Sequence, residues 1–512
     1  PARWLRAGAI LNPEFMARNT VRDSLMGFVF SKYGFIPGYH TLKGFASVLR
    51  SDKWLQLYEM SGAAHANLVS IDRDYLRKDI RKLTEDRMTS FLRKIRTPVD
   101  LLRSMSELTE NATRISEFKL AFMKKASGIE AAHAAKDITT NYSRSGKYGR
   151  TMNKYYTFAN ARIQGLDKLG RAFKERPLRT TAYAFMGITM PEILLYLVNR
   201  DDPDYAQLPR WRKDLFWNMK ADWIPGKAKW ISIPKPFELG QIFGTIPLRF
   251  MEYLDTKDKD VLTSYFLDTN ESELYSQLMV MGGSFLPTAA QPAFEVMVNH
   301  NNFTDRSIVS RSLEMLEPEE QYNFYTTKTA RGIGDALNMS PLNVEHLING
   351  YFAGLGKYVT TASDTIIFDS LGAAGVEKFK TPTEPTLDVL TNIPGLKALI
   401  IEGPEGSKSE SVNVFYDKLE ELETMEKTYK KKVERGKNKE AREYLRDHSE
   451  MNLAKHFREV ATQFSGFRKS QQKILNSNVD PKIKREIMDR YDRLMTDISA
   501  STLNYVTQPK KK

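Results

Sequence analysis

Apolar residues recur at spacings of three and four through almost the whole of this 512-residue chain, and runs that alternate apolar with polar are nearly missing. That period belongs to one face of an α-helix and not to a half-buried strand. It predicts a mainly α fold: an irregular multi-helix bundle with a helical C-terminal tail and at most short strands, near Trp230–Pro234. With 41% apolar and 27% charged residues, the chain has the composition of a folded protein. It has no cysteine, which excludes disulfides, thiolate nucleophiles and cysteine-ligated zinc. Residue 1 is Pro and no signal peptide opens the chain, which reads as a fragment or a processed product.

Individual helices can be placed. Asn12-Pro13 is a start signal, a capping side chain before a residue whose missing N–H costs nothing there. The helix that follows is expected to be buried and to stop at Gly34. A second, Tyr39 to Met60, would turn Leu42, Phe45, Leu49, Trp54 and Leu57 inward. Ile71 to Ile95 reads as a long charged helix, and Thr97-Pro98 starts another, in which Glu110 and Arg114 can pair one turn apart.

The stretch from Asn141 to Arg176 carries nine Lys/Arg against Asp167 and Glu175, with Tyr142, Tyr148, Tyr155, Tyr156, Phe158 and Phe173 interleaved. From about Thr151 it reads as helix, with Tyr155, Phe158, Ile163, Leu166, Leu169 and Phe173 collected on one face. One reading is a core helix with a solvated charged side. The other is nucleic-acid contact, since cations attract phosphate and aromatic faces stack on bases. On that second reading the contacts are Arg144, Lys147, Arg150, Lys154, Arg162, Lys168 and Arg171, although one helix cannot aim all seven the same way.

Charge is unevenly spread. Residues 1–180 hold 33 Lys/Arg against 17 Asp/Glu, a balance of +16; residues 181–403 hold 19 against 28, or −9; residues 404–512 hold 24 against 18, or +6. A basic first third and an acidic middle suggest pairing within or between subunits as much as an external polyanion. The expected division is one body, 1–403, with a basic part (1–180) and an acidic part (181–403), followed by a tail, 404–512.

Thr180 to Val198 is the most lipid-like segment. Its apolar residues Phe185, Met186, Ile188, Ile193, Leu194, Leu195 and Leu197 make it the best membrane-insertion candidate in the chain. Glu192 would be expensive in hydrocarbon, so the expectation is a helix buried in protein and kinked or ended near Pro191. Asp201 to Pro236, dense in Pro and Trp, reads as an irregular connection whose KWISIPKP piece includes a short strand. Helices resume at FELGQIFGTIPLRFMEYLD, Glu271–Met281, Gln291–Asn299, Thr327–Leu337 and Leu342–Thr360. Residues 381–408 look like a linker or surface loop. In the tail, Phe415, Leu419, Leu422, Met425, Tyr429 and Val433 form one stripe, with helices near Lys437–Phe464 and Pro481–Val506 beyond it.

No phosphate-binding GxxxxGK[ST], no GxGxxG, no HExxH and no GxSxG occurs. The seven histidines are scattered, and His448 and His456 are eight residues apart, not the four that a helical metal pair needs. No catalytic residue, metal site or cofactor is expected.

Six phrases, in order, resemble one family: NPEFMARNTVRDSLMGFVFSKYGFIP, TRISEFKLAF, NYSRSGKYGRTMNKYYTFANARIQGLDKL, WISIPKPFELGQIFGTIPLRF, SFLPTAAQPAFEVMVN and SPLNVEHLINGYFAGLGKY. The family is the large polyvalent-protein-associated domain near the C-terminus of giant phage internal virion proteins, and the resemblance covers most of residues 1–403. Where that family often has Asp-Phe before Ser-Arg, this chain has Asn141-Tyr142. The resemblance implies a non-enzymatic structural segment, packaged in the virion interior (head core or tail conduit) and ejected with the genome into the host envelope. The partners it implies are other internal virion proteins and further copies of the chain, together with portal or tail components. Double-stranded DNA bound without sequence preference and the host membrane during ejection complete the set. The alternative is the non-catalytic, DNA-binding packaging region of a virion-borne RNA polymerase.

Overall fold

Among the described residues 77% are helical, more than twice the ordinary share, and the strands form one small sheet, as the periodicity predicts. The computed structural model describes residues 2–66, 98–141, 144, 152, 155, 156, 159–224, 228–266, 286–302, 307–310, 313, 314, 316–323, 326–364, 366, 395–402, 409–475, 477 and 479–507. The expected helices at Ile71–Ile95 and Glu271–Met281, most of 381–408, and the side chains Lys147, Arg150 and Lys154 lie outside the described residues.

Asn12 caps the first long helix, Pro13–Phe30, by accepting the Glu14 N–H at 3.1 Å. That helix packs on Pro98–Met123, which also receives Tyr39–Arg50 and Gly128–Asp137. The expected helix from Tyr39 to Met60 is broken in two. Ser51 turns left-handed (φ 48°) and Asp52 caps Lys53–Met60 by accepting the Trp54 and Leu55 N–H groups. Its inward face also differs from expectation. Thr41, Gly44, Ser47 and Val48 are buried, while Leu42, Leu49 and Leu57 are exposed. The reason is close backbone approach. A Cβ on Gly44 would lie 1.7 Å from the Ala112 carbonyl oxygen, so a small-residue face meets the partner helix and the bulky leucines stay outside.

The sheet is antiparallel in the order β1 (Phe216–Lys220), β2 (Ala228–Pro234), β3 (Ile400–Glu402). β1 pairs with β2 from Phe216↔Pro234 to Lys220↔Trp230. Trp230, fully buried, packs with Tyr205, Leu208 and Ile401. The short strand read in KWISIPKP is thus present, and the 381–408 stretch, read as linker or surface loop, contributes β3 in its described part.

Two prolines set the geometry beside the sheet. Pro191 and Pro247 lack the N–H that an α-helix needs at their positions, and each follows a five-residue π segment, Phe185–Thr189 and Gln241–Thr245. The widened turn absorbs the proline, so the helix neither ends nor breaks at Pro191 and runs on from Pro177 to Asn199. The two π segments touch through the Thr189 hydroxyl, which donates to the Phe243 carbonyl at 2.6 Å.

The tail is a bundle of Glu410–Glu434, Asn438–Asp447, Ala454–Leu475 and Pro481–Thr507. The single helix expected over Lys437–Phe464 is interrupted at His448 by a 3₁₀ turn, Ser449–Leu453. Phe415, Leu419 and Leu422 of the predicted stripe are buried with Phe457, Phe464 and Met495, whereas Val433 is exposed. Phe415 and Phe457 stack at 5.0 Å. Gln207 ties the tail's start to the body by accepting the Ser409 hydroxyl at 2.8 Å. Because Phe457 is fully buried, Phe457→Ala should destabilise the protein by about 3–5 kcal/mol, measured by denaturant unfolding. A cost below about 1 kcal/mol would contradict this packing.

Candidate functional site

Two features stand out: the acceptors that hold the basic stretch, and a helix whose faces are reversed. The longest described part of the basic stretch is the helix Ala159–Glu175. Lys168 on it is buried, 5% exposed, and donates to the Ile138 carbonyl at 2.5 Å and the Thr139 carbonyl at 3.3 Å. Its ammonium also lies over the Phe30 ring at 4.2 Å. Arg171 grips Asp137 through two parallel bonds of 3.0 and 2.9 Å and reaches Asp167 at 3.0 Å. The Asp137 bonds, followed by those to Asp167, raise its pKa. Arg144 pairs with Asp167 at 3.1 Å, both half-exposed. Arg162 is largely buried, which lowers its pKa against the pull of Glu238.

Of the seven cations in the nucleic-acid reading, Arg144, Arg162, Lys168 and Arg171 lie among the described residues. Lys168 is buried and held by two backbone carbonyls, and Arg171 is already bidentate on a carboxylate. The predicted stripe holds in part: Leu169 is buried and Phe173 stacks on Phe243 at 5.9 Å, but Tyr155 is exposed.

Behind Lys168 lies a buried polar cluster that periodicity does not reveal. Arg114 donates to the Thr139 hydroxyl at 3.0 Å and the Thr140 carbonyl at 2.8 Å. The Glu117 carboxylate accepts the Ser31 hydroxyl at 2.8 and 2.9 Å, and Asp23 accepts the Asn19 amide at 3.1 Å. Burial raises Asp23 to about 7 against Arg114, Lys168 and Arg22, and raises Glu117 to about 7 against the Ser31 bond. Burial lowers Lys168 to about 7 against Asp137 and Asp23. The available signal was the spacing of Glu110, Arg114 and Glu117, which places three charges on one helix face; all three are buried.

The helix Pro177–Asn199 carries its polar groups inward. Thr180, Thr189, Glu192, Tyr196 and Asn199 are buried, and Glu192 forms an ion pair with Lys235 Nζ at 2.5 Å where both side chains are nearly inaccessible. Lys235 also donates to the Lys213 carbonyl at 2.9 Å, and Asn199 donates to the Asn218 carbonyl at 2.7 Å. Beneath them Arg249 pairs with buried Asp214. On the outer face Leu178 is 87% exposed and Val198 77%, and Phe185, Met186, Met190, Leu194 and Leu197 are exposed between them.

The expectation that this segment is buried in protein is therefore overturned: only 28% of its apolar window is covered. Of the seven membrane-insertion candidates, Phe185, Met186, Leu194 and Leu197 face out. Ile188 is buried, and Ile193 and Leu195 are half-buried. Leaving a carboxylate or amide unpaired inside costs more than wetting a leucine, so the polar face wins the interior. Phe250 and Leu254 on Ile246–Thr256, packed alongside, are also exposed, and so is Trp223.

Fold and site together define a mainly α protein built around a small sheet, with one reversed amphipathic helix at its surface. Residues 202–385, which begin just after that helix, match the family model described as large polyvalent protein associated domain 38. The resemblance read in the sequence is shown for this stretch, and it points to a large polyvalent, phage-associated protein. No curated protein and no solved structure matches the chain.

The buried cluster generates a pH test. Between about pH 4 and 7 the folded state keeps protons on Asp23 and Glu117 that the unfolded chain has lost. Their stabilising contribution is fully present below about pH 4 and is lost as pH rises to about 7. Lys168 acts in the opposite sense, adding stability as pH rises above about 7. Asp23→Asn combined with Glu117→Gln should therefore gain in Tm relative to wild type as pH goes from about 4 to 7, by differential scanning fluorimetry. A difference in Tm that does not change with pH would contradict the assignment.

Proposed function

We propose that this chain is a non-enzymatic, structural part of a phage internal virion protein, packaged in the particle and ejected with the genome. In this reading it helps build the internal core or the conduit across the host envelope, together with copies of itself and other virion proteins. The observation that carries the reading is the reversed helix Pro177–Asn199, whose apolar side faces out while its polar side is bonded to the body. With Glu192 already paired inside, the helix need not leave the fold to meet lipid. It can lie in the plane of a membrane interface with Phe185, Met190, Leu194 and Leu197 in the acyl region. A spanning arrangement would have to expose Glu192 and Asn199 to hydrocarbon.

The outer face also bears on what it meets. A specific protein interface carries about one hydrogen bond per 100–200 Å². From Leu178 to Val198 the exposed side chains are apolar apart from Thr181. That dry face suits hydrocarbon, which needs no directional partners. The alternative, a DNA-binding packaging region of a virion RNA polymerase, would rest on the basic stretch. Lys168 and Arg171 are engaged inside the fold, which favours the envelope reading.

The test is binding of the whole chain to phospholipid vesicles by flotation. Leu194→Glu with Leu197→Glu should weaken it about a hundredfold, from the lost burial of two leucines. Absence of vesicle binding by the wild type would overturn the membrane role. So would an oligomer that the same variant dissociates while vesicle binding is unchanged, because the face would then be a self-contact.

A further inference from the structure

A cavity of about 50 Å³ opens where the C-terminus of Pro13–Phe30, the helix Ala159–Glu175 and the first turn of Pro177–Asn199 meet. A water molecule needs about 10–15 Å³ on this measure, so the space holds about four water-sized atoms, the number of oxygens in a phosphate group. Five cations line it: Lys32, Lys168, Arg171, Arg176 and Arg179. The lining acids are Asp137 and Glu175, each already matched by a cation, Asp137 by Arg171 at 2.9 Å and Glu175 by Lys32 at 3.1 Å. Glu117 stands behind Ser31, which itself lines the cavity.

That leaves Lys168, Arg176 and Arg179 with no carboxylate at ion-pair distance among the described residues. Two of the three are held in place. Lys168 is pinned by the Ile138 and Thr139 carbonyls. Arg179 donates to the Ser31 carbonyl at 2.7 Å and lies over the Tyr183 ring at 5.1 Å. The held Arg179 guanidinium and the buried Lys168 ammonium, with Arg176 beside them, are matched to an anion of tetrahedral geometry, because the planar fork of arginine donates two parallel bonds to phosphate oxygens.

We infer that this cavity is a phosphate-binding site formed by Lys168, Arg176 and Arg179, and that the phosphate it takes belongs to an anionic phospholipid headgroup. This rests on the membrane-facing reading of Pro177–Asn199 and gives it a chemical address. The cavity's rim, Arg179 and Thr180, is the first turn of that very helix. Leu178 lies between the two arginines and is almost fully exposed, and Phe185 and Met186 follow two turns on. A headgroup held at the rim therefore sets its acyl chains along the apolar face. A duplex phosphate has no use for such a face, and an isolated phosphate ion gains nothing from it.

The experiment uses the full chain with vesicles of phosphatidylcholine alone or doped with phosphatidylglycerol, read by flotation. Wild type should prefer the doped vesicles. Arg176→Gln with Arg179→Gln should weaken binding to them about thirtyfold, at roughly a unit of surface attraction per removed cation. Binding to phosphatidylcholine alone should not change. Arg176→Gln by itself, with circular dichroism and Tm as checks of folding, covers the case in which the double variant does not fold, and it should show a smaller loss in the same direction. Equal binding of variant and wild type to doped vesicles would overturn the headgroup site while leaving the membrane role standing. No binding of wild type to either vesicle would remove the membrane role itself. Competition by inorganic phosphate that lowers binding to doped vesicles down to the phosphatidylcholine level supports the pocket. Competition by a short DNA duplex, with no preference for doped vesicles, would reassign it to nucleic acid and overturn the lipid source.

Discussion

The ion pair between Glu192 and Lys235 decides which way the surface helix faces. Both charges lie out of water, and a buried charge without its partner is strongly destabilising. The pair is backed by the Lys213 carbonyl and approached closely by Gly244, whose added Cβ would sit 3.2 Å from Lys235 Cδ and 3.3 Å from a Glu192 carboxylate oxygen. The polar side of Pro177–Asn199 is held against the sheet and the helix beside it. Once that side points in, the leucines, methionines and phenylalanine at the remaining positions have nowhere to go but out. The apolar surface is a consequence of the buried pair, not an accident of exposure.

The π segments make the arrangement geometrically available. Each places one extra residue in a turn ahead of a proline, which rotates the helix beyond it relative to the helix before it. Across Phe185–Thr189 this rotation lets Thr180 and Ala184 share an inward face with Glu192 and Asn199 farther along. The parallel device at Gln241–Thr245 sets Arg249 over Asp214, and Thr245 bonds the Asp214 carbonyl at 2.7 Å. Two prolines that might have ended helices instead align two of them against the same polar core.

Much of the fold was legible because the governing signals are local. The Asn12-Pro13 start, the short strand at Trp230–Pro234, the helix read as Thr327–Leu337 and the Phe415–Leu419–Leu422 stripe each follow from chemistry within a few residues. The inversion of Tyr39–Arg50 was not, because it depends on Ala112, which meets Gly44 from about seventy residues away in the chain. The site was legible as a set of residues but not as a set of roles. Lys168 looked like a surface cation because nothing nearby says that Ile138 and Thr139 present carbonyls to it. Thr180–Val198 looked like a core helix because Glu192 was weighed as a cost to lipid, when its partner lies forty-three residues on. Pairing across the chain carries no periodic signature.

The central claim is that the apolar side of Pro177–Asn199 faces outward in the free protein and meets lipid when a membrane is present. Because the chain has no cysteine, a single introduced thiol reports on one position without background. Leu194→Cys and Ile188→Cys, prepared separately, can be reacted with a water-soluble maleimide before and after adding phosphatidylglycerol vesicles. The account predicts fast labelling at 194 in buffer, protection of 194 by vesicles, and slow labelling at 188 in both. Slow labelling at 194 in buffer, or fast labelling that vesicles leave unchanged, would contradict it.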